Sequence, residues 1–249
     1  MPRRVLTLSA VIALVVALAS GAVLAQGSPL ETSLAGLKSQ VAVALDHANL
    51  AKNSTTIEAK EAHAEHVINA IEGRNGPNYG DFNGDGTVQD FGDGTGVLGH
   101  AAIILQLADA AGAAVPDDAI LAGHVTSIKA STNNVIAWST DARNAAVKVT
   151  GLSLSLADIY IGPGGKSVIS NLDASLNGFG SEGGVEQAIT QTQTLNAYLA
   201  ELGAQIQAPG PPDTGDTSIP MVGKVLAGLG LVLVASGSLL WRRRSQASS

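Results

Sequence analysis

The chain has 249 residues, of which 45% are hydrophobic, 14% charged and only 3% aromatic, and it contains no cysteine. Disulfides and covalent c-type haem attachment are thereby excluded, and the scarcity of aromatic rings argues against base-stacking surfaces. Eight of the 14 basic and 19 of the 21 acidic residues fall between Gln26 and Pro212, a net charge of −11 that disfavours nucleic acid and favours cations.

Arg3 and Arg4 precede an apolar run over 5–23, and Ala25 before Gln26 offers a cleavage site, so 1–25 reads as a signal peptide. From there to residue 207 the pattern is helical. Leu34, Leu37, Val41, Leu45 and Ala48 place a helix over 30–52. A second follows over 55–72, with Ser54 or Thr55 as cap, and with Ile57, Ala64, Ile68 and Ile71 on one stripe beside an acidic stripe of Glu58, Glu61, Glu65 and Glu72. Gly73 ends it. A third helix is expected over 97–111. A fourth follows Pro116 and runs to about 149, with Ile120, Ile128, Val135 and Trp138 sharing a face. The stretch 151–161 alternates Leu152, Leu154 and Leu156 with small residues and suits either a strand or a helix. After the Gly-Pro-Gly-Gly break at 162–165, helices are expected over 166–176 and 184–205. The fold class is therefore mainly α, an up-down helical bundle with a loop connector.

Between the second and third helices lies the segment most unlike the rest. Asp81, Asn83 and Asp85 alternate, and Gly86 stands sixth. Alternate oxygen donors surround one point, and a glycine there lets the chain turn sharply. The DxNxDG pattern resembles an EF-hand or dockerin calcium loop. The resemblance implies calcium ligation by Asp81, Asn83 and Asp85, by the Thr87 carbonyl and by Gln89. At the twelfth position Gly92 replaces the closing acid, and Asp90 or Asp93 is left to complete the sphere. The alternative is a solvated loop in which Asp and Gly serve only backbone geometry.

Five histidines, His47, His63, His66, His100 and His124, fall on expected helices. Counted from the loop end of an up-down bundle, they occupy a band roughly 14 Å tall. The apolar stripes point His100 and His124 inward, put His63 at the border of its stripe, and leave His66 and His47 off theirs. Such a band can hold a transition metal or haem. The alternative is that His100 and His124 are core histidines bonded to Ser127, Ser131 or Gln106 and that the other three are surface residues. No catalytic triad, zinc-protease motif or phosphate loop is present, so the sequence supports no enzyme.

The residues 208–218 form a Pro/Gly-rich linker. An apolar span over 219–241 then reaches Trp241 and the arginines of the tail 242–249. Its length suits a transmembrane helix, and the positive-inside rule leaves the ectodomain outside the membrane. Pro212, Asp213, Thr214 and Gly215, followed by that span and those arginines, resemble an LPXTG-type cell-wall sorting signal, with Pro211 where the family has leucine. The resemblance implies cleavage after Thr214 by a sortase and attachment to the cell wall. The whole reads as an exported protein, anchored at the cell surface by membrane or wall, with a binding or display role. No protein partner is legible.

Overall fold

In a computed structural model, residues 28–114 and 116–207 are described. The expected signal peptide, linker, membrane span, tail and sorting-like motif lie outside them. The described residues form seven α-helices: α1 Pro29–Asn53, α2 Ile57–Glu72, α3 Gly96–Ala114, α4 Ala119–Val147, α5 Leu154–Ile161, α6 Val168–Asn177 and α7 Val185–Gln207. Among these residues there is no strand beyond an isolated bridge between Phe179 and Glu182. The expectation of a mainly α helical bundle is met.

Two compact units divide the chain. Among the described residues, one holds Gln106–Thr126 together with 28–32 and 191–207. Within it, Asn196 donates to Glu31 at 2.6 Å, Tyr198 to Asp118 at 2.8 Å, and His124 pairs with Gln191 at 2.8 Å. The other unit, Ser33–Leu105 and Ser127–Thr190, contains the acidic loop and the remaining four histidines.

Several local expectations need correction. The N-cap of α2 is Thr56, whose hydroxyl accepts from the amide of Ala59, while the Ser54 hydroxyl turns back to the Leu50 carbonyl. The stretch read as strand or helix is helix α5. It starts after Ser153, stops at Gly162, and buries Ala157 and Ile161 four residues apart. Leu154 and Leu156 are exposed, so their alternation carried no sheet face. On α4 the buried stripe runs through Leu121, Val125, Ile128 and Val135, and Ile120 faces outward at 55% exposure.

The main departure concerns α2. Its acidic residues do not form one solvated stripe, because every residue from Ala64 to Glu72 is buried. Its apolar side packs in the core through Ala64, Ile68 and Ile71. Its polar side is covered by the segment 74–95, which folds back over it. Glu65 is the anchor: its carboxylate accepts the amides of Phe82 at 3.1 Å, Asn83 at 3.2 Å and Gln89 at 3.4 Å. One turn on, Asn69 accepts the Gly80 amide and donates to the carbonyls of Gly80 and Gln89. Glu72 takes Asn78 and, from α4, the guanidinium of Arg143. A buried polar face is stable only when each group has a partner, and here the loop backbone supplies most of them.

The loop closes at its base where Gly73 and Gly96 meet. Both lie at positive φ, 69° and 73°. A side chain on Gly73 would collide with the Thr95 carbonyl, and one on Gly96 with the amide of Gly73. The exit of α2 and the entry of α3 thus touch backbone to backbone, and the Arg74 amide donates to the Gly94 carbonyl at 3.0 Å.

α3 is the one described helix long and apolar enough to cross a membrane, with a mean hydropathy of 1.3 over Gly96–Ala113. Its buried residues Val97, Ala101, Ile104 and Ala108 recur at three and four positions. This is the one-sided burial of a helix lying against a core.

Candidate metal centre

His47 on α1 and His63 and His66 on α2 meet at one point. The short turn at 54–56 folds the two helices side by side, with Lys60 buried at 1% exposure between them. Its ammonium holds the carbonyls of Ala51 and Lys52 at the end of α1 and pairs with Asp158 on α5. His63 and His66, three residues apart, share a face of α2. Reflection of the hairpin about residue 55 sets His47 opposite His63.

The Nδ1 atom of His47 lies 3.3 Å from Nδ1 of His63 and 3.3 Å from Nδ1 of His66. One nitrogen from each ring can be chosen so that all three lie within 4.8 Å of one another, a set that can hold a metal ion. The rings are 4.7–5.5 Å apart between centroids and are tilted or edge-on, so they do not stack. An imidazole nitrogen carries either one proton or one in-plane lone pair. His47 Nδ1 therefore has a single in-plane valence, yet it faces two other ring nitrogens. Hydrogen bonding satisfies that arrangement poorly, whereas an ion between the rings satisfies all three. With metal–nitrogen bonds of about 2.0–2.1 Å, tetrahedral ligands stand about 3.3–3.4 Å apart.

The surroundings keep these rings neutral. Burial, then the neighbouring rings, push the pKa of His66 from 6.5 down to about 4. Burial and the proximity of His63 lower His47, and burial lowers His63. Neutral imidazole is the form that ligates metal, so the donor set is ready below neutral pH without first losing protons. The acidic loop completes the shell. The Gln89 side chain hydrogen-bonds His66, and the Phe91 ring lies 4.6 Å from His47 and 4.3 Å from His66, centroid to centroid. A hydrogen bond of this kind orients a ligating imidazole.

The other two histidines stand elsewhere. His100 pairs through Nε2 with Asp93 at 2.6 Å and packs its ring against Gly36, and His124 pairs with Gln191. The hydrogen bonds expected to Ser127, Ser131 or Gln106 are not the ones formed. The inward pair expected from the apolar stripes is thus no ligand pair, and the bordering His63 converges with the off-stripe His47 and His66. A haem would need imidazoles facing one another across a flat macrocycle, whereas three converging nitrogens suit a single ion.

The residues expected to bind calcium are occupied within the loop. Asp81 accepts the amides of Gly84 and Gly86 at 2.7 and 2.8 Å, Asn83 that of Asp85, and Asp85 that of Thr87. Gln89 turns to His66. Asp90 is held by Arg74 at 2.7 Å and Asp93 by His100, so neither expected closing residue is unpaired. Burial raises the Asp93 pKa, but hydrogen bonds from His100 and from the Thr95 and Gly96 amides outweigh it and hold it below the ordinary carboxyl value. Gly92 stands at the twelfth position because the loop docks on α1 there. The buried Gln40 amide fills the place of its side chain and accepts the Asp93 amide at 3.3 Å.

No protein-family model matches this chain, and neither does any curated protein or solved structure.

Proposed function

We propose that this protein is an exported, surface-anchored helical bundle whose chemistry is the binding of one divalent transition-metal ion by His47, His63 and His66. The observation that carries the reading is the convergence of three imidazoles, with His47 at tetrahedral-edge spacing from both His63 and His66 and all three within 4.8 Å. Imidazole-only donors suit zinc, copper(II) or nickel, and zinc fits the tetrahedral spacing best. Surface placement is inferred from the signal-like segment 1–25, the span 219–241 with its following arginines, and the sorting-like residues Pro212 to Gly215. Membrane and cell wall, with a sortase, are the partners this implies.

The test is metal content and affinity of the full chain in mild detergent, measured with zinc, copper(II) and nickel. One equivalent is expected. His47→Ala, His63→Ala and His66→Ala should each weaken binding at least about a hundredfold, while His100→Ala and His124→Ala leave it within about threefold. Equal loss from His100→Ala would move the site away from this trio.

Calcium is retained as a second, structural reading of the acidic loop. Gly86, at its sixth position, holds φ at 84°, the conformation that the sharp turn of such a loop requires. Calcium bound there would tie α2 to α3.

A further inference from the structure

We infer that the three-histidine centre leaves one coordination position for a small donor from outside the chain, an anion or water, and that Phe91 screens it. This rests on the metal reading above and goes beyond it to what the metal would bind.

Structural sites for ions of this class are closed by four protein ligands, whereas three ligands and an exchangeable fourth mark a reactive site. Among the described residues, the group that can hold an ion contains His47, His63 and His66 and no further His, Asp or Glu. Of the acids around the trio, Asp46 beside His47 is exposed and stands outside this group, and the others are committed. Both carboxylate oxygens of Glu65 accept loop amides. Asp85 accepts the amide of Thr87 on one oxygen and the Asn83 side chain on the other. Asp90 is divided between Arg74 and the Gly92 amide. Gln89 is engaged with His66 itself. Each of these loop and helix groups would have to break one of these bonds to become a fourth donor.

Phe91 is the aromatic neighbour of the trio, and it has no donor atom. It covers two of the three rings, yet 49% of its own surface is exposed, so it stands between the rings and solvent. A ligand reaching the ion from that side must pass the phenyl ring that rests on His47 and His66. This favours small donors such as azide, cyanate or hydroxide over larger ones.

Cobalt(II) makes the position visible, because its d–d bands respond to each change in the ligand set. The full chain, loaded with one equivalent of cobalt(II), is titrated with azide. A saturable shift of the bands at one azide per cobalt is expected. Phe91→Ala should show the same shift at about tenfold lower azide, the size of one removed steric contact, with cobalt stoichiometry unchanged. Phe91→Leu, which keeps the bulk, should follow the unaltered protein. Cobalt bands that ignore azide in every form would overturn this inference alone, since the chain would then supply the fourth ligand. Equal azide affinity with and without the phenyl ring would overturn the screen. Absence of cobalt bands would remove the centre itself, and this inference with it.

Discussion

At residue scale the trio is an acid-sensitive point in the fold, because its imidazoles resist protonation. His66 has its pKa near 4, against 6.5 unperturbed, and His47 and His63 are lowered in the same direction. In the unfolded chain all three protonate as the pH drops below about 6.5. Between that value and the folded-state values the unfolded chain binds more protons, so stability falls as pH is lowered through this window. Below the folded-state values the loss levels off, since both states are then charged. Urea unfolding of metal-free protein between pH 7 and about pH 4 should show this slope, and His66→Gln should flatten it. An unchanged slope in that variant would place the acid sensitivity elsewhere. A second acid-sensitive contact has a different window. Asp93, held below its ordinary value by His100 and two amides, loses its contribution only as the pH falls below about 3.8. Metal should oppose the histidine effect alone, because it competes with protons for the same lone pairs.

At the scale of elements, the segment 74–95 is a cover for α2, and its closure rests on two glycines. Gly96→Ala would place a side chain at positive φ and into the backbone of Gly73, so a loss of about 2–4 kcal/mol is expected. Thermal unfolding measures it, and a change within experimental error would show that α2 and α3 do not touch there. Glu65→Gln is subtler. It keeps the shape but weakens acceptance of three loop amides, and about 1–3 kcal/mol is expected. Faster hydrogen exchange at Phe82, Asn83 and Gln89 would assign that loss to the loop, while uniform exchange would assign it to the core. The helices themselves were legible, since Leu34, Leu37 and Val41, or Ala64, Ile68 and Ile71, repeat at helical spacing and are buried as that spacing requires. The centre was not, because stripe analysis assumes that a helix has one buried side. α2 has two, and the second is polar. Glu65, His66, Asn69 and Glu72 read as solvated residues until the loop is laid over them. The available signal was hairpin register: about residue 55, His47 reflects onto His63, and His66 lies three residues further along the same face. Lys60 illustrates the same limit. A lysine buried at 1% has no apolar signature, and only the exposed carbonyls at the end of α1 explain it.

For the whole molecule, the question is which cation, if any, holds the fold together, and the two candidate sites separate cleanly. The histidine centre joins α1 to α2, which a short turn already ties, whereas the calcium-loop pattern lies in the long connection from α2 to α3. A ligand that binds only the folded state stabilises it by about 2.7 kcal/mol at a hundred times its dissociation constant. Zinc in such excess should therefore raise the midpoint of thermal unfolding by several degrees, with the gain absent in His47→Ala and retained in Asp81→Ala. Calcium should give the opposite pattern if the DxNxDG residues hold it: lost in Asp81→Ala and Asp85→Ala, retained in His47→Ala. The loop geometry makes zinc the stronger of the two predictions. Every carboxylate of Asp81, Asn83's neighbour Asp85, Asp90 and Asp93 already accepts hydrogen bonds, so calcium would have to share oxygens with loop amides or displace Arg74 or His100. The Nδ1 atoms of His63 and His66 both face that of His47, at 3.3 Å. Stabilisation by calcium that survives Asp81→Ala but vanishes in His47→Ala would contradict this division, since a hard oxygen-seeking ion has no reason to choose three nitrogens.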